Sequence, residues 1–106
     1  MTWFDGTDFE GPIEIVDLPH EPGVYLITTD ASGGVKIIGA YEAEDMGRSA
    51  SENPKRPCWT HNRKDTDPVA YYLLEKEKDA REKLVLNVLL RRPYDRVCND
   101  PIRDDF

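Results

Sequence analysis

The chain has 106 residues, 39% of them apolar and 33% charged, which suits one modest core and excludes two. Acidic residues outnumber basic ones 21 to 14, a net charge of −7 that argues against non-specific attachment to nucleic acid. The longest uncharged apolar stretch, residues 84–90, contains Asn87 and is far shorter than the roughly 20 residues of a membrane span.

Taken in chain order, residues 1–12 hold Gly6, Gly11, Pro12 and several acids, and read as a loosely ordered lead-in to a single domain over 13–106. Residues 13–16 alternate and predict a short strand. Pro19 to Pro22 is a turn signal. Residues 23–29, Gly-Val-Tyr-Leu-Ile-Thr-Thr, are β-branched and aromatic and predict a strand. Residues 30–34 end in a Gly pair suited to a hairpin loop, and 35–41 predict the return strand. Residues 42–50 predict a helix with acids early, weakened by Gly47. Residues 51–68 carry Pro54, Pro57 and Pro68 and read as a long irregular loop. Residues 69–74 predict a third strand. Residues 75–92 predict a helix, with Ala80, Leu84 and Val88, then Leu86, Leu89 and Leu90, forming its apolar face. Pro93 ends it. The order β-β-α-β-α is that of an α+β fold, a small antiparallel sheet flanked by helices.

The charge is unevenly spread. Residues 1–53 carry a net −9 and residues 54–106 a net +2. The densest basic stretch includes Lys55, Arg56, His61, Arg63 and Lys64, with Trp59 among them. Such a run is either a solvated loop or a phosphate-contacting loop with an aromatic that stacks on a base. Two cysteines, Cys58 and Cys98, are too few for a disulfide scaffold. Cys58 and His61 have the spacing of two zinc ligands, with Cys98 as a third, but structural zinc takes four. The alternative is a half-buried thiol and a loop histidine. The N-terminus lacks the basic start and apolar run of a signal peptide, so a cytoplasmic location with no membrane contact is expected.

Pro22-Gly23-Val24-Tyr25, followed after a dozen residues by Ile37-Ile38-Gly39, resembles the paired motif of the GIY-YIG nucleases. Arg48 lies nine residues past Gly39, and Glu82, Pro93 and Asn99 follow in the order of that family's later features. The resemblance covers residues 19–100. It departs at Ile37, which stands where the family has its second tyrosine, and at Ala40, where a basic residue often follows. Tyr41 is expected to share the strand face of the missing tyrosine only across a bulge.

The resemblance implies a divergent, metal-dependent phosphodiester hydrolase acting on DNA. Such chemistry needs a base, a cation at the phosphate and stabilisation of the developing charge. By resemblance, Tyr25 would be a base whose pKa a nearby cation lowers. Arg48 would grip the phosphate, Glu82 would hold Mg2+ or Mn2+, Asn99 would fix the site and His61 would be an auxiliary proton donor. Gly23 and Gly39 are the motif glycines. Lys55, Arg56, Trp59, Arg63 and Lys64 would contact DNA. Two other readings stand beside it: a domain of the same fold that has lost catalysis and binds nucleic acid or a protein, and an acidic inhibitor of a DNA-binding protein.

Overall fold

A computed structural model describes residues 2–4, 7–31, 34–62, 67–91 and 98. Strands form where β-branched and aromatic residues concentrate: β1 (Thr2–Phe4), β2 (Thr7–Ile13), β3 (Gly23–Ala31), β4 (Gly34–Ala43) and β5 (Val69–Leu74). The helices are α1 (Met46–Glu52), α2 (Arg56–His61) and α3 (Lys78–Arg91), and Ile15–Asp17 make a single 3-10 turn. The strands pair antiparallel in the order β1-β2-β5-β3-β4. The predicted α+β class, hairpin and third strand are all present. Among the described residues, no helix is long and apolar enough to cross a membrane.

β3 is buried on both faces, so its sequence is a continuous apolar run rather than an alternation. Val24 and Leu26 join Phe9, Ile37, Ala40, Tyr71 and Val88 in one core, against which Leu84 and Val85 of α3 pack. Tyr25 and Ile27 point the other way. They join Leu18, Ile38, Met46, Ala50, Trp59, Ala70 and Cys98 beneath α1 and α2. The sheet thus separates α3 from α1 and α2, and this division positions Tyr25 and Glu82 on opposite sides.

Several expectations are corrected. The lead-in contains the paired strands β1 and β2, with Phe9 in the core at 1% exposure. Gly11 adopts a φ of +130° at the irregularity in the β2–β5 pairing, where a β-carbon would sit 2.8 Å from the Ala70 carbonyl oxygen. Only glycine fits that backbone, and it lets the strand continue past a turn-like sequence. Residues 14–16 leave the sheet. The first predicted helix starts at Met46, not 42, because β4 runs on to Ala43 and the Asp45 side chain caps α1 by accepting the Arg48 N–H at 3.0 Å. Residues 56–61 are helical despite the prolines. Pro57 lies in the first turn of α2, where its missing N–H breaks no helical bond.

The apolar face of α3 is narrower than expected. Leu84, Val85 and Val88 pack inward, whereas Leu86 and Leu90 are 45% and 59% exposed. Arg81 completes the inward stripe at 1% exposure. Its Nε donates to Glu42 Oε2 at 2.9 Å, and its Nη1 donates to the carbonyls of Lys76 (2.8 Å) and Glu75 (3.2 Å). One guanidinium therefore pins the start of α3 to the end of β4 and satisfies two carbonyls of the link from β5 into α3.

Candidate functional site: the tyrosine face of the sheet

Tyr25 comes from near the start of β3, opposite Tyr41 of β4 on one side and Tyr72 of β5 on the other. Its side chain is fully buried. The hydroxyl lies 2.8 Å from Ser49 Oγ and accepts from Asn53 Nδ2 at 3.0 Å. Asn53 is held in turn by the Lys55 N–H, which donates to its Oδ1 at 2.9 Å. Burial pushes the Tyr25 pKa above its ordinary value, outweighing the opposing hydrogen bonds from Ser49 and Asn53. The expected lowering by a cation is therefore reversed, and the phenol stays protonated at neutral pH.

Tyr41 stacks obliquely on Tyr25, with ring centroids 5.4 Å apart, and on Trp59 at 5.7 Å. Its hydroxyl accepts from Trp59 Nε1 at 3.0 Å and donates to the Cys98 carbonyl at 3.2 Å. A bulge is present, and it acts opposite to expectation. Gly39 pairs with Ile27 and Ile37 with Thr28, so Ile38 is an extra residue. Four residues apart on a regular strand, positions 37 and 41 would share a face. The extra residue instead turns Ile37 into the α3-side core and leaves Tyr41 beside Tyr25. Gly39 is required beneath it, since a β-carbon there would sit 2.7 Å from the Tyr41 hydroxyl. Gly23, the other motif glycine, packs against the Leu73 carbonyl and the Met46 side chain.

The remaining predicted residues do not gather around this pair. Arg48 points into solvent from α1, its Nε 3.4 Å from Glu52 Oε1, with its side chain 72% exposed. Glu82 stands on the outer surface of α3, across the sheet from Tyr25, 3.7 Å from Lys78 Nζ. His61 is exposed at the end of α2. Asn99, Arg63 and Lys64, together with Pro93, lie outside the described residues. Trp59 is 2% exposed and bonded to Tyr41, so it does not offer a face to a base. Arg56 lies 5.9 Å from its ring centroid and donates from Nη1 to the Ala50 carbonyl at 3.0 Å, while Lys55 is half-buried.

Glu82 has Lys78 Nζ 3.7 Å away, and among the described residues no three His, Cys, Asp or Glu side chains come together as a metal site. A site for Mg2+ or Mn2+ at Glu82 would therefore rest on that one carboxylate, with water completing the shell. The zinc reading is corrected, because Cys58 and Cys98 are joined in a disulfide. Sequence reasoning missed Ser49, Asn53 and Arg81. Ser49 and Asn53, four residues apart, share one side of α1 and its end, which is a signal available once Arg48 is assigned to solvent.

No protein-family model matches the chain, and no curated protein matches it. Among solved structures, the chain is similar to the GIY-YIG N-terminal endonuclease domain of UvrC from Thermotoga maritima, a point mutant bound to its catalytic divalent cation. The TM-score is 0.57 and the identity 17%, over 82% of this chain and 91% of that one. At that identity the likeness is one of fold, and the fold of this chain is GIY-YIG-like.

Proposed function

We propose that this chain is a GIY-YIG-fold domain that binds a protein partner and does not cleave DNA. The observation that carries this reading is the separation of Tyr25 from Glu82: one hydroxyl is buried beneath α1, and the carboxylate stands beyond α3. Joint action on one phosphate needs groups within hydrogen-bond reach of a common point. The raised Tyr25 pKa supports the same reading, since a protonated phenol is no base. The net −9 of residues 1–53 and the inward Trp59 favour a protein over DNA as the partner.

The likeness to an endonuclease domain favours a second reading, a DNA phosphodiester hydrolase using Mg2+ or Mn2+. A nicking assay on supercoiled DNA with each metal, paired with DNA-binding anisotropy at low and high salt, separates the two. The expected result is no nicking above that of Glu82→Ala and no salt-sensitive DNA binding. Nicking that disappears in Glu82→Ala and Arg48→Ala overturns the proposal in favour of the hydrolase.

A further inference from the structure

The Cys58–Cys98 bond ties α2 to a residue 40 positions further along the chain. Cys98 is 2% exposed and both sides of its peptide are engaged. Its N–H donates to the Ile38 carbonyl at 2.8 Å, at the bulge of β4, and its carbonyl accepts from Tyr41 at 3.2 Å. Asn62 Nδ2 lies 3.2 Å from Cys58 Sγ and 3.7 Å from Cys98 Sγ. β4 is the last strand of the sheet, and Cys98 pairs with its edge at Ile38. It also closes over the hydroxyl that joins Tyr41 to Trp59. Cys58 is the more exposed of the two sulfur-bearing residues, and a reductant meets it first.

We propose that the disulfide is a redox latch on this edge: a dithiol opens it, and residue 98 then leaves β4 while the sheet stays folded. One thiolate of the dithiol attacks Cys58 Sγ, and the Cys98 thiolate departs and takes a proton. The second thiolate attacks the mixed disulfide and releases Cys58 as a thiol. Two electrons pass from the dithiol, which becomes a disulfide. Opening exposes the Ile38 carbonyl and removes one acceptor from the Tyr41 hydroxyl. It depends on local contacts only, because β3, the central strand beneath, is held by β4 and β5 on both sides. The latch does not rest on whether the domain binds or cleaves.

The test is amide exchange read residue by residue by NMR on the full chain, with and without dithiothreitol, alongside a thiol count. The untreated chain should show no free thiol and the treated chain two. Reduction should speed exchange at the Cys98 amide by about tenfold or more while Leu26 and Ile27 in β3 keep their protection. Cys58→Ala should show the same pattern without reductant. Equal protection of the Cys98 amide in both redox states overturns the latch. So does loss of Leu26 and Ile27 protection together with Cys98, on reduction or in Cys58→Ala, which would make the bond a staple for the whole fold. Two free thiols in the untreated chain overturn it as well.

Discussion

Tyr41 lies across Gly39, its hydroxyl 2.7 Å from where a β-carbon at 39 would be. The glycine is therefore a seat for the aromatic two residues on. Gly39→Ala should cost about 1–3 kcal/mol by displacing that ring. The cost should shrink in a Tyr41→Ala background, where the ring is absent. A double-mutant cycle by urea unfolding measures the coupling, and additive effects would refute the seat.

Arg81 should be intolerant of truncation. Arg81→Ala leaves Glu42 and two carbonyls without the guanidinium that joins them, and about 3–5 kcal/mol of stability should be lost. Replacing both charges with Arg81→Met and Glu42→Leu should recover much of that loss. Denaturant midpoints of the two variants check the expectation, and an Arg81→Ala effect below about 1 kcal/mol would contradict it.

The hairpin, β5 and α3 are legible in the sequence for a common reason. Each carries its burial in contiguous or periodic apolar residues such as Val24 to Ile27 and Leu84 to Val88. β2 is hidden because Gly11 and Pro12 signal a break that positive φ allows the strand to absorb. α2 is hidden because Pro57 in a first turn looks the same in sequence as Pro57 in a loop. The tyrosine pair is hidden for a different reason. Whether Tyr41 faces Tyr25 depends on one extra residue at Ile38, and a bulge leaves the residue types unchanged while it reverses their faces. Cys58 and Cys98 could be read as thiols or ligands, because their meeting is made by tertiary structure.

Tyr25 should make the fold sensitive to alkali. Its folded pKa lies above the ordinary value of about 10, so the folded state holds its proton more tightly than the unfolded chain does. That contribution is full below about pH 10 and is lost as pH rises through the folded pKa. Tyr25→Phe should flatten the loss above about pH 10, at a cost near neutrality of about 1 kcal/mol for the missing hydrogen bonds. Urea titrations at stepped pH measure both, and a Tyr25→Phe profile as steep as the parent's would count against the assignment.

Asp45 works in the acid range. The Arg48 N–H bond holds its carboxyl below the ordinary carboxylate value. Its contribution to α1 is therefore fully present above about pH 4 and lost as pH falls through the lower folded value. The Arg48 amide resonance should titrate with that carboxyl, and Asp45→Asn should abolish the titration. An Arg48 amide unmoved between about pH 2 and 5 would show that the cap does not form in solution.

Trp59 should behave as a core residue. Trp59→Ala should cost about 3–5 kcal/mol, whereas Trp59→Phe should lose mainly the bond to Tyr41, about 1 kcal/mol. Calorimetry of the two variants distinguishes packing from surface duty. A Trp59→Ala chain as stable as its parent would return the indole to the surface.

The pairing of β2 with β5 sets the order in which the molecule assembles. Glu10 meets Tyr72, so β2 has its partner late in the chain, beyond the β3–β4 hairpin. The β3–β4 hairpin closes over a few residues, and β5 then docks on β3. β2 should join last, because its partner β5 is in place only once docked on β3. Phe9→Ala should therefore speed unfolding and leave the folding rate nearly unchanged, while Ile27→Val in the hairpin should slow folding, as stopped-flow rates would show.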